Sequence, residues 1–147
     1  RDEVDEGLAC ARRPLPAKRS SGWLIGEALS NLIVGLQRHA RGERLAAMRM
    51  IQVYALDRVL EFLELLQPES HDPFAARDPF SVDRRIELRS SQVARALRVW
   101  AGGYERTVPA ALALLAALEA HSVVPKDVSE RIRMLATMKA GAFHEDA

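Results

Sequence analysis

The sequence predicts an all-α fold, a bundle of about five antiparallel helices with no sheet. Three observations predict it. Apolar residues recur at spacings of three and four over most of the chain, the period of a helix with one buried face. No stretch alternates apolar and polar residues long enough to form a strand. Glycine, proline and capping residues separate the periodic segments, and short connections between them turn each helix back on its predecessor.

Residues 1–20 run into ARRPLPAKRSSG, a proline-, serine- and arginine-rich stretch that reads as an arm or linker. The bundle domain occupies 21–147. Ser20 or Ser21 caps the first helix, whose inward stripe is Leu24, Ile25, Ala28, Leu29, Leu32, Ile33 and Leu36. QRHARG closes it, with Gly42 either as its stop or as a point through which it fuses with the next helix. A second helix spans about 43–67, roughly 36 Å at the α-helical rise. Leu45, Met48, Ile51, Ala55, Leu56, Val59, Phe62, Leu63 and Leu66 face inward, and Arg44, Arg58, Glu61 and Glu64 mostly outward.

Pro68 ends that helix, and PESHDPFAARDPF, with three prolines, cannot continue one. The third helix carries Val82, Ile86, Val93, Leu97 and Trp100 and stops at Gly102-Gly103. Its start, DPFSVDRRIEL, offers Ser81 or Asp83 as a cap and leaves Arg84, Arg85 and Glu87 to pair around the first turn. Thr107 caps the fourth helix, with Pro109 in its first turn and Leu112, Leu115 and Leu118 on one face. Asp127-x-x-Glu130 resembles a capping box and opens the fifth, with Ile132, Leu135 and Met138 inward.

Composition narrows the function. A chain of 147 residues can bury a sizeable core without staples. One cysteine, Cys10, forms no internal disulfide and fits a reducing cytoplasm. No apolar run approaches the roughly 20 residues of a membrane span. The acidic first residues are unlike a signal peptide. The chain begins at arginine, which fits a piece of something longer. Eighteen arginines and three lysines are interspersed with acids to a net charge of +1, so no basic face is built and nucleic acid is an unlikely partner.

Little of the usual chemistry is spelled out. His39, His71, His121 and His144 are scattered, with no His-x-x-x-His or Glu-x-x-His pair to hold zinc or iron. No serine or cysteine stands at a fixed spacing from a histidine, and no glycine-rich loop cradles phosphate. Asp57, Glu61 and Glu64 lie at i, i+4 and i+7 along one edge of the second helix. That edge is either a solvated face with Arg58 and Arg44 nearby, or a receptor for a polycationic ligand. Arg41, Glu43 and Arg44 at the junction of the first two helices, and Arg84, Arg85 and Glu87, are either ion pairs clamping helix ends or ligand contacts.

Two segments carry a resemblance. LQRHARGERLAAMRMIQVYALDRVLEFLELL (36–66) and DPFSVDRRIELRSSQVARALRVWAGGYERTVPAALALLAALE (78–119) resemble the C-terminal helical domain of minimal, aminoglycoside-type nucleotidyltransferases, over about two thirds of the chain. The motifs are Arg41-Gly42-Glu43, Asp57 and Asp83-Arg84-Arg85-x-Glu87. The resemblance implies a bacterial, cytoplasmic, acceptor-binding and cleft-closing domain, with Glu43, Asp57, Glu61 and Arg85 as substrate-binding residues. It also implies a catalytic α/β domain, on the same or a separate chain, that supplies magnesium and the nucleotide for transfer to a small-molecule acceptor. This chain lacks the Gly-Ser turn and Asp-x-Asp carboxylates of that half, so neither a catalytic residue nor a cofactor is expected in it.

The alternatives are a non-catalytic helical module that pairs with a second copy or a partner chain, and a bundle with a ligand pocket. A resemblance to helical RNases of toxin–antitoxin pairs fails on spacing: those use Arg-x(4–6)-His, and here Arg133 and His144 are separated by ten residues.

Overall fold

The computed structural model describes residues 16–67 and 76–139. The arm over 1–15, Cys10, His71, His144 and the prolines at 68 and 73 lie outside them. The described residues are all-helical, with no strand.

Helix α1 (Ser21–Ala40) opens on Ser20, whose hydroxyl accepts from the Trp23 amide at 3.2 Å. It ends where Gly42 takes φ +82°, which separates the first helix from the second. The second is one continuous rod in three parts: α2 (Arg44–Arg49), a π-helical turn over Met50–Ala55, and α3 (Leu56–Leu65). Gly35 sits against that turn. A Cβ placed on Gly35 would lie 2.6 Å from Ile51 Cγ1, so glycine is what lets the two helices approach. Trp23 lies against Arg58 and Arg19 reaches Glu61, so the two helices run antiparallel.

The π turn corrects the expected stripe. Leu45 precedes Gln52 by seven residues and would share its inward face in an uninterrupted α-helix. The wider turn spends an extra residue, leaving Leu45 59% exposed while Ala47 is buried in its place.

The expected third helix is two. The chain turns through residues 76–85, Arg85 adopts a left-handed φ of 59°, and α4 (Ile86–Arg89) follows. Ser90 then breaks the helix with extended dihedrals and caps α5 (Ser91–Trp100), its hydroxyl accepting from the Val93 amide. Neither Ser81 nor Asp83 caps α4; the Ser81 hydroxyl donates to Asp83 instead.

Thr107 is not a cap either. A 3₁₀ turn over Tyr104–Arg106 leads into α6 (Thr107–His121), and Thr107 is buried, donating to the Tyr104 carbonyl and accepting from Gln52. Helix α6 is the centre of the bundle. Ala110, Ala111, Leu114, Leu115 and Leu118 are buried on several sides of it, whereas Leu112 is only partly covered. In α7 (Lys126–Ala136) Pro125 stands at the N-cap without a side-chain bond, so Asp127 and Glu130 form no capping box. Ile132 and Leu135 are buried, with Met138 packed beside them.

The core joins Leu24, Leu32 and Leu36 of α1 to Ile51, Val59 and Leu60 of the second rod, and both to α6. Gln52, buried in the π turn, is satisfied by the backbone: its amide nitrogen donates to the Gly103 carbonyl and its oxygen accepts from the Gly103 amide, each at 2.8 Å. Gly103 has φ +93°, a conformation glycine adopts without strain. Arg44 lies 4.6 Å from the Tyr104 ring and pairs with Glu105, fastening the same turn from outside.

Candidate functional site

The acidic edge of the second rod divides into residues with partners and one without. Glu61 accepts from Arg19 at 3.0 and 3.1 Å and pairs with Arg58 at 2.7 Å. Both guanidinium groups lie over the Trp23 ring, at 4.9 and 5.8 Å, so Glu61 and Trp23 sit inside an arginine clamp joining α1 to α3. Glu64, expected to face outward, is the most enclosed acid of the edge: its side chain is 9% exposed and paired with Arg89 and, at 2.7 Å, Arg77. Arg89 is 8% exposed and donates to the Val82 carbonyl at 2.8 Å. Burial raises the pKa of Glu64, and the charges of Arg89 and Arg77 oppose that shift.

Asp57 differs. It is half-buried and has no hydrogen-bond or ion-pair partner among the described residues. Burial pushes its pKa up. Arg58 pulls it down, and the charges of Asp83 and Glu61 add to the rise. Asp83 comes from the 76–85 segment, so two separate parts of the chain bring carboxylates within electrostatic reach of one another. Asp78 in the same segment is consumed locally. The Phe80 amide, bonded at 2.8 Å, is the main cause of its lowered pKa, and Arg84 adds to it at 2.7 Å.

The remaining residues singled out from sequence stand apart. Glu43 bridges Arg41 at 2.7 Å and Arg38 at 2.8 Å, and these contacts, Arg41's hydrogen bond foremost, lower its pKa. It lies 14 residues before Asp57 on the rod, about 21 Å away, so the structure does not bring the two together. Arg85 is exposed on its left-handed turn, and neither it nor Glu87 has an ion-pair partner among the described residues. The pairing expected around the start of the third helix therefore falls to Arg84 and, through Glu64, to Arg89. Arg89 was missed from sequence although its spacing from Ile86 (i+3) and Val93 (i−4) places it on the buried stripe, because a charged residue on that stripe shows no partner until Glu64 is brought to it.

Among the described residues no three His, Cys, Asp or Glu side chains converge to hold a metal ion, and no helix is long and apolar enough to cross a membrane. His39 is partly enclosed, its Nδ1 without a hydrogen-bond partner and its pKa lowered chiefly by burial. Compared with family models, curated proteins and solved structures, the chain matches none of them.

Proposed function

We propose that this chain is the helical acceptor-binding and cleft-closing domain of a nucleotidyltransferase-like protein and is not catalytic by itself. The observation that carries the reading is Asp57. The other acids of its edge are occupied by arginines, whereas Asp57 is half-buried and without an ion-pair or hydrogen-bond partner among the described residues. Such a carboxylate is costly in the empty protein and gains when an ammonium group arrives, which suits an amine-rich small-molecule acceptor. Glu61 lies one turn along the rod from Asp57; in this reading Arg85, on its exposed turn, and Glu43, at the far end of the same rod, contribute further contacts to the acceptor. Magnesium, the nucleotide and the transfer chemistry belong to a catalytic α/β domain, on the same or another chain.

The test has two arms. The isolated chain with magnesium and nucleoside triphosphate shows no nucleotide turnover, and measurable turnover contradicts the absence of catalysis. An aminoglycoside titrated into the protein binds, and Asp57→Asn weakens binding about tenfold, or 1.4 kcal/mol. Unchanged affinity removes Asp57 from the site.

A second reading, a helical module that pairs with a copy of itself, is favoured by large apolar side chains left exposed at Leu45, Tyr54 and Leu88. It requires a concentration-dependent dimer. Sedimentation showing only monomer at high concentration contradicts it.

A further inference from the structure

We infer that the gap between α3, α5 and α6 is a binding site for a small, neutral, largely apolar molecule that carries a hydrogen-bond acceptor. Helices α3 and α5 both pack against α6 but make few contacts with each other. The space between them is a cavity of about 500 Å³, within the roughly 300–1,000 Å³ usual for small-molecule sites. Its walls follow from residue size. Ala113, Ala117 and Ala120 stand at i, i+4 and i+7 on α6, so one stripe of that helix offers only methyl groups to the gap. Helix α5 contributes Val93, Ala96 and Trp100 at i, i+3 and i+7, and Leu63 and Leu66 line it from the end of α3.

Alanines beside leucines are ordinary packing in a bundle; Trp100 is not ordinary here. It is 8% exposed, and its indole N–H, which can only donate, has no acceptor among the described residues. A buried indole usually has one. This N–H is not among the polar atoms sealed from solvent either, which leaves the cavity that Trp100 lines as its opening. An acceptor on a guest in the cavity makes the bond that no side chain of the fold makes. The lining also sets the guest's charge. Among the described residues that line the cavity there is no Asp, Glu, Lys or Arg. Of the polar ones, Ser90 is committed as the cap of α5, and Gln67, Gln92 and His121 are exposed. An ion would shed water there without meeting an opposite charge, whereas an apolar guest gains by leaving water. Asp57 does not line this cavity, so the inference is independent of the acceptor reading.

The probe is prodan, a neutral naphthyl ketone whose emission moves to the blue when it leaves water, titrated into the full chain. Saturable binding with blue-shifted emission is expected, and its absence overturns the proposal. Ala117→Leu fills part of the cavity and should weaken binding about tenfold with no fall in melting temperature. Equal affinity in a folded Ala117→Leu protein places prodan elsewhere, on exposed side chains such as Leu45 or Leu88, and overturns the proposal. Since a larger residue on α6 can disturb the fold, a second readout uses the parent alone. In nitrogen–proton NMR spectra, prodan should move the Trp100 indole N–H resonance downfield. The Trp23 indole, in the clamp between α1 and α3, should stay in place. A Trp100 resonance that does not respond overturns the assignment whatever the fluorescence shows.

Discussion

Asp57 is the residue at which structure and chemistry pull apart. Its pKa is raised by burial first, with Asp83 and Glu61 adding to the rise. A carboxyl whose folded pKa lies above its unfolded one binds more protons in the native state, so stability falls as pH rises through that window and is regained as pH falls. Asp57→Asn removes the charged form, and unfolding by denaturant at pH 7 should show a gain of about 0.5 kcal/mol. The gain should shrink towards the acid side, where the parent Asp57 is itself protonated. A loss at pH 7 would mean that Asp57 has a structural partner. Gly35 makes the opposite kind of statement. A methyl group there meets Ile51 Cγ1 at 2.6 Å, on the inner part of a buried side chain that cannot swing away cheaply. Gly35→Ala gains about 1 kcal/mol of helix propensity but overpacks by about 1–3 kcal/mol. Net destabilisation of about 1 kcal/mol is expected, reduced when Ile51→Ala is added. The position of Asp57 on an acidic edge was legible from the i, i+4, i+7 spacing. That it alone lacks a partner was not, because Arg19, Arg77 and Arg89 reach that edge from distant parts of the chain.

The connections between elements follow from where polar groups had to be satisfied. Gln52 in the π turn meets both backbone groups of Gly103, so a buried amide is fully used and the turn before α6 is fixed. The Glu64–Arg89 pair is held to the same standard but meets it less completely: Nε and Nη1 of Arg89 and both carboxylate oxygens of Glu64 have no hydrogen-bond partner, and the two charges are joined as an ion pair. Removing one member leaves the other charge enclosed and uncompensated, so Arg89→Ala should cost about 3 kcal/mol in denaturant unfolding. Arg38→Ala, at an exposed pair with Glu43, should cost less than about 1 kcal/mol. Similar costs for the two would mean that the Glu64 site is wetter than its burial indicates. Helix periodicity located α1, α3, α5, α6 and α7. It could not reveal the π turn, which leaves both flanking stripes apolar, or the break at Ser90. There a serine preceding Ser-Gln-Val reads equally well as a helix interior residue and as a cap.

At the scale of the molecule, the all-helical class was readable from period alone, since 3.6-residue spacing has no strand interpretation over such lengths, whereas separation or fusion of the first two helices at Gly42 was decided only by its φ of +82°. Which helix lies at the centre was less readable. Helix α6 is apolar nearly all round, and a sequence without a clear stripe signals burial without naming its neighbours. Function is least legible of all, because the acidic edge acquires its character only when the second rod and the 76–89 segment meet. The most direct measurement of the central claim is calorimetric titration of an aminoglycoside into the parent chain and into Asp57→Asn, with folding checked by thermal melting. Binding to the parent is expected to be exothermic, binding to the variant about tenfold weaker, and the melting temperature of the variant no lower. Equal affinity in the two proteins, or no binding to either, would contradict that claim.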